Sequence, residues 1–124
     1  MKKVIATPDA PKAVGPYSQA IEVNGTLYIS GQIPVNPADD KVQEDIVAAA
    51  HQSLKNIGAI LKEAGMTYDN VVKTTVLLAD IADFKAVNEV YAEYFTGDKP
   101  ARACYQAAAL PLGVKVEIEA IAVK

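Results

Sequence analysis

The sequence predicts an α+β fold in which two helices pack on one face of a single mixed sheet. Three observations carry this prediction: a hairpin signal near the N-terminus, two segments with apolar residues at helical spacing, and segments rich in β-branched residues that alternate with them. The 124 residues suffice for one domain with a buried core. Residues 1–124 are therefore expected to form a single domain.

The first predicted element is a β-hairpin over residues 19–30. In the stretch AIEVNGTLYIS, Asn24 and Gly25 lie between two β-prone runs and supply the positive φ angles of a type I′ turn. The next stretch, GQIPVNPADD, contains two prolines and two aspartates. Since proline lacks the N–H of a central strand, this stretch is expected to be a loop that leads into a helix.

Two amphipathic helices follow in the prediction. The first covers residues 44–64, with Gly65 as its stop, because apolar residues recur at steps of three and four: Ile46, Ala50, Leu54, Ile57 and Leu61. The second is capped by Asp83 and ends near residues 96–97. Its apolar stripe consists of Phe84, Val87, Tyr91 and Tyr94.

Three further strands are predicted, over residues 71–78, 100–106 and 114–123. In the last one, alternate residues point to opposite faces, and both faces are apolar toward its C-terminal end. Ile118, Ala120 and Ala122 form one set, and Ile121 and Val123 the other. Two helices cover only one face of such a sheet, so we expect a second copy of the chain to cover the other.

Charge and cysteine content exclude several classes of protein. The net charge is −3 and no basic run is present, which argues against binding of nucleic acid. No apolar run approaches the roughly 18 residues of a membrane span. The single cysteine excludes an intramolecular disulfide, and no secretory signal is evident. The expected location is the cytoplasm.

The usual catalytic groups are sparse. No cluster of ligands has metal-binding spacing, and no glycine-rich phosphate loop is present. His51, the only histidine, falls in the middle of the first predicted helix, where a structural role is the usual one. Cys104 is either a nucleophilic thiolate or a small apolar residue of a strand, and the sequence leaves both interpretations open.

Arg102 is the most informative residue. It lies within a predicted strand, in ARAC, where a guanidinium needs a partner or a cleft. One interpretation is an ion pair within the chain, with Glu117 or Glu119. The other is two-bond recognition of a small carboxylate or phosphate, with Glu117 on the neighbouring strand orienting a water molecule.

Three other stretches are candidates for a pocket. Tyr17 follows Gly15 and Pro16 in GPYSQA, and the alternative is a surface or interface tyrosine. Ser30 and Gly31 end a strand of the hairpin, where a backbone can approach a ligand closely, although glycine is common at strand ends. Asn88 lies off the apolar stripe of the second helix and alone indicates nothing.

Six stretches together resemble one family: GPYSQAI, LYISGQIP, VVKTTVLLAD, VNEVYAEYF, PARAC and VEIEA. They resemble the RidA (YjgF) reactive-intermediate deaminase family, and the match with that family stays in register over essentially the whole chain. The resemblance implies a chorismate-mutase-like fold, assembled as a homotrimer whose sheets form a barrel with the helices outside. It also implies active sites in clefts between subunits.

The implied activity is hydrolysis of reactive 2-imino acids and their enamine tautomers to 2-oxo acids and ammonia, which protects pyridoxal-phosphate enzymes from damage. The substrates are 2-aminoacrylate/2-iminopropanoate and 2-iminobutanoate, and neither a cofactor nor a metal is used. The resemblance implies that Arg102 binds the substrate carboxylate, that Glu117 is associated with the attacking water and that Tyr17 is the tyrosine of the pocket. It assigns further lining positions to Ser30, Gly31, Asn88 and Cys104.

Two alternative functions remain. One is a non-catalytic trimer that binds 2-oxo acids in the pocket around Arg102, or a stress-protective trimer of chaperone type. A ribonuclease or translation inhibitor is the weaker alternative, because an acidic chain with one helical histidine offers no general acid–base pair for RNA cleavage.

Overall fold

Residues 1–124 are described by a computed structural model, in which two helices lie on one face of a mixed sheet. Along the chain the elements are β1 (Lys3–Ile5), β2 (Ala20–Val23), β3 (Thr26–Gln32), β4 (Val35–Asn36), β5 (Lys41–Val42), α1 (Ile46–Glu63), β6 (Val71–Leu78), α2 (Phe84–Tyr94), β7 (Ala101–Gln106) and β8 (Val116–Val123). The six-stranded sheet has the order β1-β2-β3-β8-β6-β7, in which β6 and β7 are parallel and the other neighbours antiparallel. The predicted α+β fold is confirmed.

The hairpin of β2 and β3 is confirmed, including its turn. Asn24 and Gly25 have φ angles of 51° and 79°, as a type I′ turn requires. Farther along β3, the pairing with β8 is irregular between Ile29 and Gln32. This irregularity falls at Ser30 and Gly31, and such bulges redirect side chains near functional sites.

The first helix also forms as predicted. It begins after Asp45, whose carboxylate accepts the N–H of Ala48 at 3.1 Å. It ends at Glu63, just before Gly65, which has a φ of 74°, and the Met66 N–H donates to the Leu61 carbonyl at 2.8 Å. Glycine is suited to this left-handed position because it has no Cβ.

The predicted cap of the second helix is wrong. Asp83 makes no capping hydrogen bond and already has helical backbone angles, whereas a capping residue is normally extended. A short 3₁₀ turn, Ile81–Asp83, leads into α2 instead. Asp80 caps this turn by accepting the Ala82 N–H at 2.9 Å.

Three short strands of the structure were not predicted from the sequence. β1 pairs with β2 at the edge of the sheet, and residues 31–40, expected to be a loop, contribute to the small β4–β5 hairpin. These strands are two or three residues long, too short to show a hydrophobic period. The last strand begins two residues later than predicted, after a 3₁₀ turn at Pro111–Gly113.

The hydrophobic core lies between the sheet and the two helices. Its fully buried large side chains include Leu27, Leu54, Ile57, Ile60, Leu61, Val76, Leu78, Val116 and Ile118. The opposite face, called the open face here, has no helix. It carries Tyr28 at 49% exposure and Val123 at 40%, together with the half-buried Ile121. Both faces of β8 are therefore apolar toward its end, as predicted.

Neither helix combines the length and apolar character that crossing a membrane requires.

Gln19 holds the irregular N-terminal segment against the sheet. Its buried side-chain carbonyl accepts the Thr7 N–H at 2.7 Å. Its amide nitrogen donates to the carbonyls of Thr7, Ala10 and Pro11 at 3.1, 3.3 and 2.8 Å. One side chain thus satisfies four backbone groups of a segment that has no ladder of its own.

Replacing Gln19 with leucine should lower the free energy of unfolding by about 2–4 kcal/mol, because buried backbone groups lose their partner. Urea unfolding at fixed protein concentration measures this loss. The matched control is Gln43→Leu, since the amide of Gln43 bonds only the Lys41 carbonyl, at 3.5 Å and in an exposed setting. Equal losses in the two variants would contradict the assigned role of Gln19.

Candidate active site

Arg102 lies on the helix side of the edge strand β7. It pairs in register with Thr74 of β6, whose side chain is buried under α2, and residues in register point to the same face. The guanidinium Nη1 donates to the Asn88 Oδ1 at 2.7 Å. Its carbon lies 4.8 Å from the ring centre of Tyr91 and 5.5 Å from that of Phe84. These four residues, Arg102, Asn88, Tyr91 and Phe84, are called the arginine cluster below.

Arg102 has no acidic partner within the chain. The two ion pairs that form join His51 with Glu93 and Lys124 with Glu22. The interpretation of Arg102 as half of an ion pair with Glu117 or Glu119 is therefore wrong. Its guanidinium is exposed, and its one hydrogen bond is the one to Asn88. The remaining N–H donors are free to bind an anion.

The expectation that Glu117 lies on the strand next to Arg102 is also wrong. β6 lies between β7 and β8, and Glu117 points to the open face, in register with Leu77. The nine residues 107–115, which connect β7 to β8, are long enough to pass across the end of β6. The two side chains thus lie on opposite faces of the sheet.

Glu117 lies against the bulge of β3. A Cβ atom on Gly31 would overlap its carboxylate, so a side chain at position 31 would displace the Glu117 carboxylate from this place. The carboxylate is about half-buried, and burial, reinforced by the nearby charge of Glu119, raises its pKa. Glu117 therefore takes up a proton at a higher pH than an ordinary glutamate does.

Ser30 adjoins Gly31 in the bulge and connects it to the segment that carries Tyr17. Ser30 donates from its hydroxyl to the Ser18 carbonyl at 2.6 Å and from its N–H to the Gln19 carbonyl at 2.9 Å. These bonds attach the segment of Tyr17 to the bulge. Tyr17 is 52% exposed and shares with Ser30 a groove of about 560 Å³ on the open face, and the acidic residue that lines this groove is Glu119. Tyr17, Ser30, Gly31 and Glu117 are called the glutamate cluster below.

Cys104 belongs to the side of the arginine cluster. It pairs with the buried Val76 of β6, two residues after Arg102, and is half-buried. Burial raises the pKa of its thiol more than the charge of Arg102 lowers it. A protonated thiol is a poor nucleophile, which favours a lining role for Cys104. His51 contacts Tyr94, at 2.7 Å between its Nδ1 and the hydroxyl, and is not paired with Cys104.

The structure therefore brings the predicted site residues together as two groups. Arg102, Asn88 and Cys104 lie on the helix side of the outermost strand, and the glutamate cluster lies around β3 and β8. Tyr91 and Phe84 were not predicted to be neighbours of Arg102. Their spacing with Asn88, four and then three residues along α2, places all three on one helix face. This spacing is the signal in the sequence that could have identified the three residues as neighbours of one another.

Comparison with known proteins identifies the family. The endoribonuclease L-PSP family matches residues 7–124. The chain belongs to this family. A mouse 2-iminobutanoate/2-iminopropanoate deaminase is 58% identical, over 100% of this chain and 93% of the mouse protein. The chloroplastic Reactive Intermediate Deaminase A of Arabidopsis thaliana is 53% identical, over 98% of this chain and 65% of the plant protein.

Solved structures of the family confirm the fold. The YjgF gene product of Escherichia coli superposes with a TM-score of 0.96 at 47% identity, over 98% of each chain. E. coli TdcF with bound serine also gives 0.96, at 42% identity and over 98% of each chain. The resemblance to the RidA (YjgF) family that the sequence motifs indicated is confirmed.

The raised pKa of Glu117 makes a prediction about stability. The folded chain binds the proton of Glu117 more tightly than the unfolded chain does. The protonated carboxyl group therefore contributes to the free energy of unfolding below the ordinary glutamate pKa, and this contribution is lost as the pH rises through the raised pKa. Glu117→Gln should therefore melt at a higher temperature than wild type at pH 7, and this advantage should shrink as the pH falls toward 4.

Differential scanning calorimetry between pH 4 and 8 measures this difference. Glu89→Gln, on the exposed surface of α2, is the matched control and should show no comparable dependence on pH. A Glu117→Gln variant that is less stable than wild type at pH 7 would show that the carboxylate is stabilised by the fold.

Proposed function

We propose that this protein hydrolyses reactive 2-imino acids and their enamine tautomers to 2-oxo acids and ammonia, as a 2-iminobutanoate/2-iminopropanoate deaminase. The observation that carries this proposal is the exposed Arg102, which is held by Asn88 and has no carboxylate partner in its own chain. Relatives with this name are 55–58% identical over the full chain. The serine bound to TdcF shows that a related protein accommodates a small amino acid.

Arg102 supplies the recognition of substrate. A guanidinium binds a carboxylate through two parallel hydrogen bonds, which fix the position and the orientation of the ligand. Because Asn88 takes one donor of Nη1, the rest of the guanidinium remains for the substrate. Cys104, two residues farther along the strand, lines the same side of the pocket.

Glu117 positions and helps to deprotonate the attacking water molecule. A protonated imine is already electrophilic at carbon, so hydrolysis needs an oriented water molecule and proton transfer. The Glu117 carboxylate accepts a proton from water as the oxygen bonds to the imine carbon. It then returns that proton to nitrogen, and as the C–N bond breaks the carbinolamine hydroxyl gives its own proton to the carboxylate, so that the 2-oxo acid forms. The released ammonia takes this last proton and leaves as ammonium. Each step draws on water and protein groups alone.

The remaining residues orient the reactants. Tyr17 hydrogen-bonds the substrate or the water. Ser30 and Gly31 line the site, and Gly31 leaves space for the Glu117 side chain. The raised pKa of Glu117 suits a group that both accepts and returns a proton.

The division of the site supports an assembly. We propose a homotrimer in which the arginine cluster of one copy faces the glutamate cluster of the next, with the open faces forming the inside of a barrel. Tyr28, Val72, Tyr105 and Val123 are exposed and apolar, in accord with burial of this kind. The cytoplasmic location and the single-domain organisation of residues 1–124 stay predictions.

Substitution of the site should separate its roles. Arg102→Lys keeps the charge but loses the two-bond geometry, and should lower kcat/KM at least about 10-fold. Cys104→Ser should change it by less than about 3-fold. The assay generates the imine with a serine or threonine dehydratase, lets semicarbazide compete for it, and follows semicarbazone formation, which the active protein suppresses.

Arg102→Ala is the inactive control in this assay. Loss of activity in Cys104→Ser with full activity in Arg102→Lys would reverse the two roles. Glu117→Gln distinguishes an enzyme from a binding protein, since it should lose turnover while still binding 2-oxobutanoate. Wild type that binds 2-oxobutanoate but never suppresses semicarbazone formation would favour the non-catalytic alternative.

The assembly makes an independent prediction. Light scattering at micromolar concentration should give a mass of about 39 kDa, three times the 13.1 kDa of the chain. A stable monomer would contradict the proposed trimer and would leave the two clusters on opposite faces without a common site.

A further inference from the structure

Tyr91 is the member of the arginine cluster that is fixed most firmly in place. It is 6% exposed, and its hydroxyl lies 2.7 Å from the hydroxyl of Thr74, a residue with no exposed surface. The guanidinium of Arg102 lies over its ring, 4.8 Å from the centre. Burial raises the pKa of Tyr91, so that the phenol stays protonated and keeps its hydrogen bond.

These three residues form a closed path. Thr74 lies directly opposite Arg102 in the parallel ladder of β6 and β7. The path runs from the Arg102 backbone through the ladder to Thr74, from the Thr74 hydroxyl to that of Tyr91, and from the Tyr91 ring back to the guanidinium. We call this arrangement the Thr74–Tyr91–Arg102 bracket. It ties the charged end of a long side chain to its own backbone.

Phe84 does not offer the same support. Its ring lies farther from the guanidinium, at 5.5 Å, is 38% exposed and has no polar group to anchor it. Asn88 fixes one nitrogen of the guanidinium but leaves its plane free to turn about that bond. The Tyr91 ring is therefore the contact that sets the tilt of the plane.

We propose that Tyr91 is a positioning residue for Arg102, held by Thr74, and that it sets the orientation in which the guanidinium meets the substrate carboxylate. This proposal rests on the proposed function of Arg102 as the carboxylate receptor. An arginine that is already oriented loses less conformational freedom when the ligand binds, so the bracket raises affinity. It acts on carboxylate binding and not on the transfer of protons at Glu117.

The test compares three variants in the assembled protein. Tyr91→Leu removes the ring and should weaken binding of 2-oxobutanoate about 3- to 30-fold in titration calorimetry. Tyr91→Phe and Thr74→Val keep the ring but break the hydroxyl pair, and each should weaken binding about 2- to 5-fold. Val90→Ala, a buried truncation on the same helix, is the control that should lower the melting temperature without changing affinity.

A double variant separates positioning from general damage. In an Arg102→Lys background, Tyr91→Leu should cause no further loss of affinity, because the planar group that it orients is gone. An equal further loss there would overturn the proposal, as would unchanged affinity in Tyr91→Leu. Tyr91→Phe keeps the proposal testable if Tyr91→Leu does not fold.

The outcomes also distinguish this proposal from the proposed function. Wild type that binds 2-oxobutanoate with the expected variant effects, but does not hydrolyse imines, would support the bracket and overturn the enzymatic function. Wild type that hydrolyses imines, with Tyr91→Leu equal to it in affinity, would overturn the bracket alone. Wild type that neither binds 2-oxobutanoate nor hydrolyses imines would overturn both.

Discussion

The parallel pairing of β6 with β7 is the constraint on which the candidate site depends. Parallel neighbours need a crossover, and here α2 provides it, so the helix returns to lie beside the strand that it precedes. Arg102 thereby meets Asn88 and Tyr91, which the same crossover carries. An antiparallel β7 would need no helix there and would leave the guanidinium without these neighbours.

Local signals in the sequence were sufficient for most elements of the fold. The Asn24–Gly25 turn and the stop at Gly65 need only a few adjacent residues, and both formed as predicted. Strand order depends instead on distant contacts, which is why Glu117 was placed beside Arg102. The predicted cap at Asp83 is wrong for a local reason, because the 3₁₀ turn Ile81–Asp83 before the helix gives that residue helical backbone angles.

The candidate site was predictable as a set of residues but not as an arrangement. Arg102 in a strand and glycine at position 31 both carry a physical signal, namely a charge that needs a partner and a missing side chain that leaves space. No pattern in one chain reveals which groups face each other across two copies. Phe84, Asn88 and Tyr91, which contact Arg102, show in the sequence only as residues at helical spacing. Unless it is known that β7 lies beside this helix, such spacing cannot be told from an ordinary stripe of core residues.

The separation of the two clusters has a genetic consequence. In the proposed trimer a complete site takes Arg102 from one copy and Glu117 from another, so a chain defective in one cluster still lends an intact other half to its neighbour. Two alleles that each abolish activity alone, one in each cluster, would then complement when expressed together. Two alleles that affect the same cluster would not, and a single chain with both defects would rescue neither.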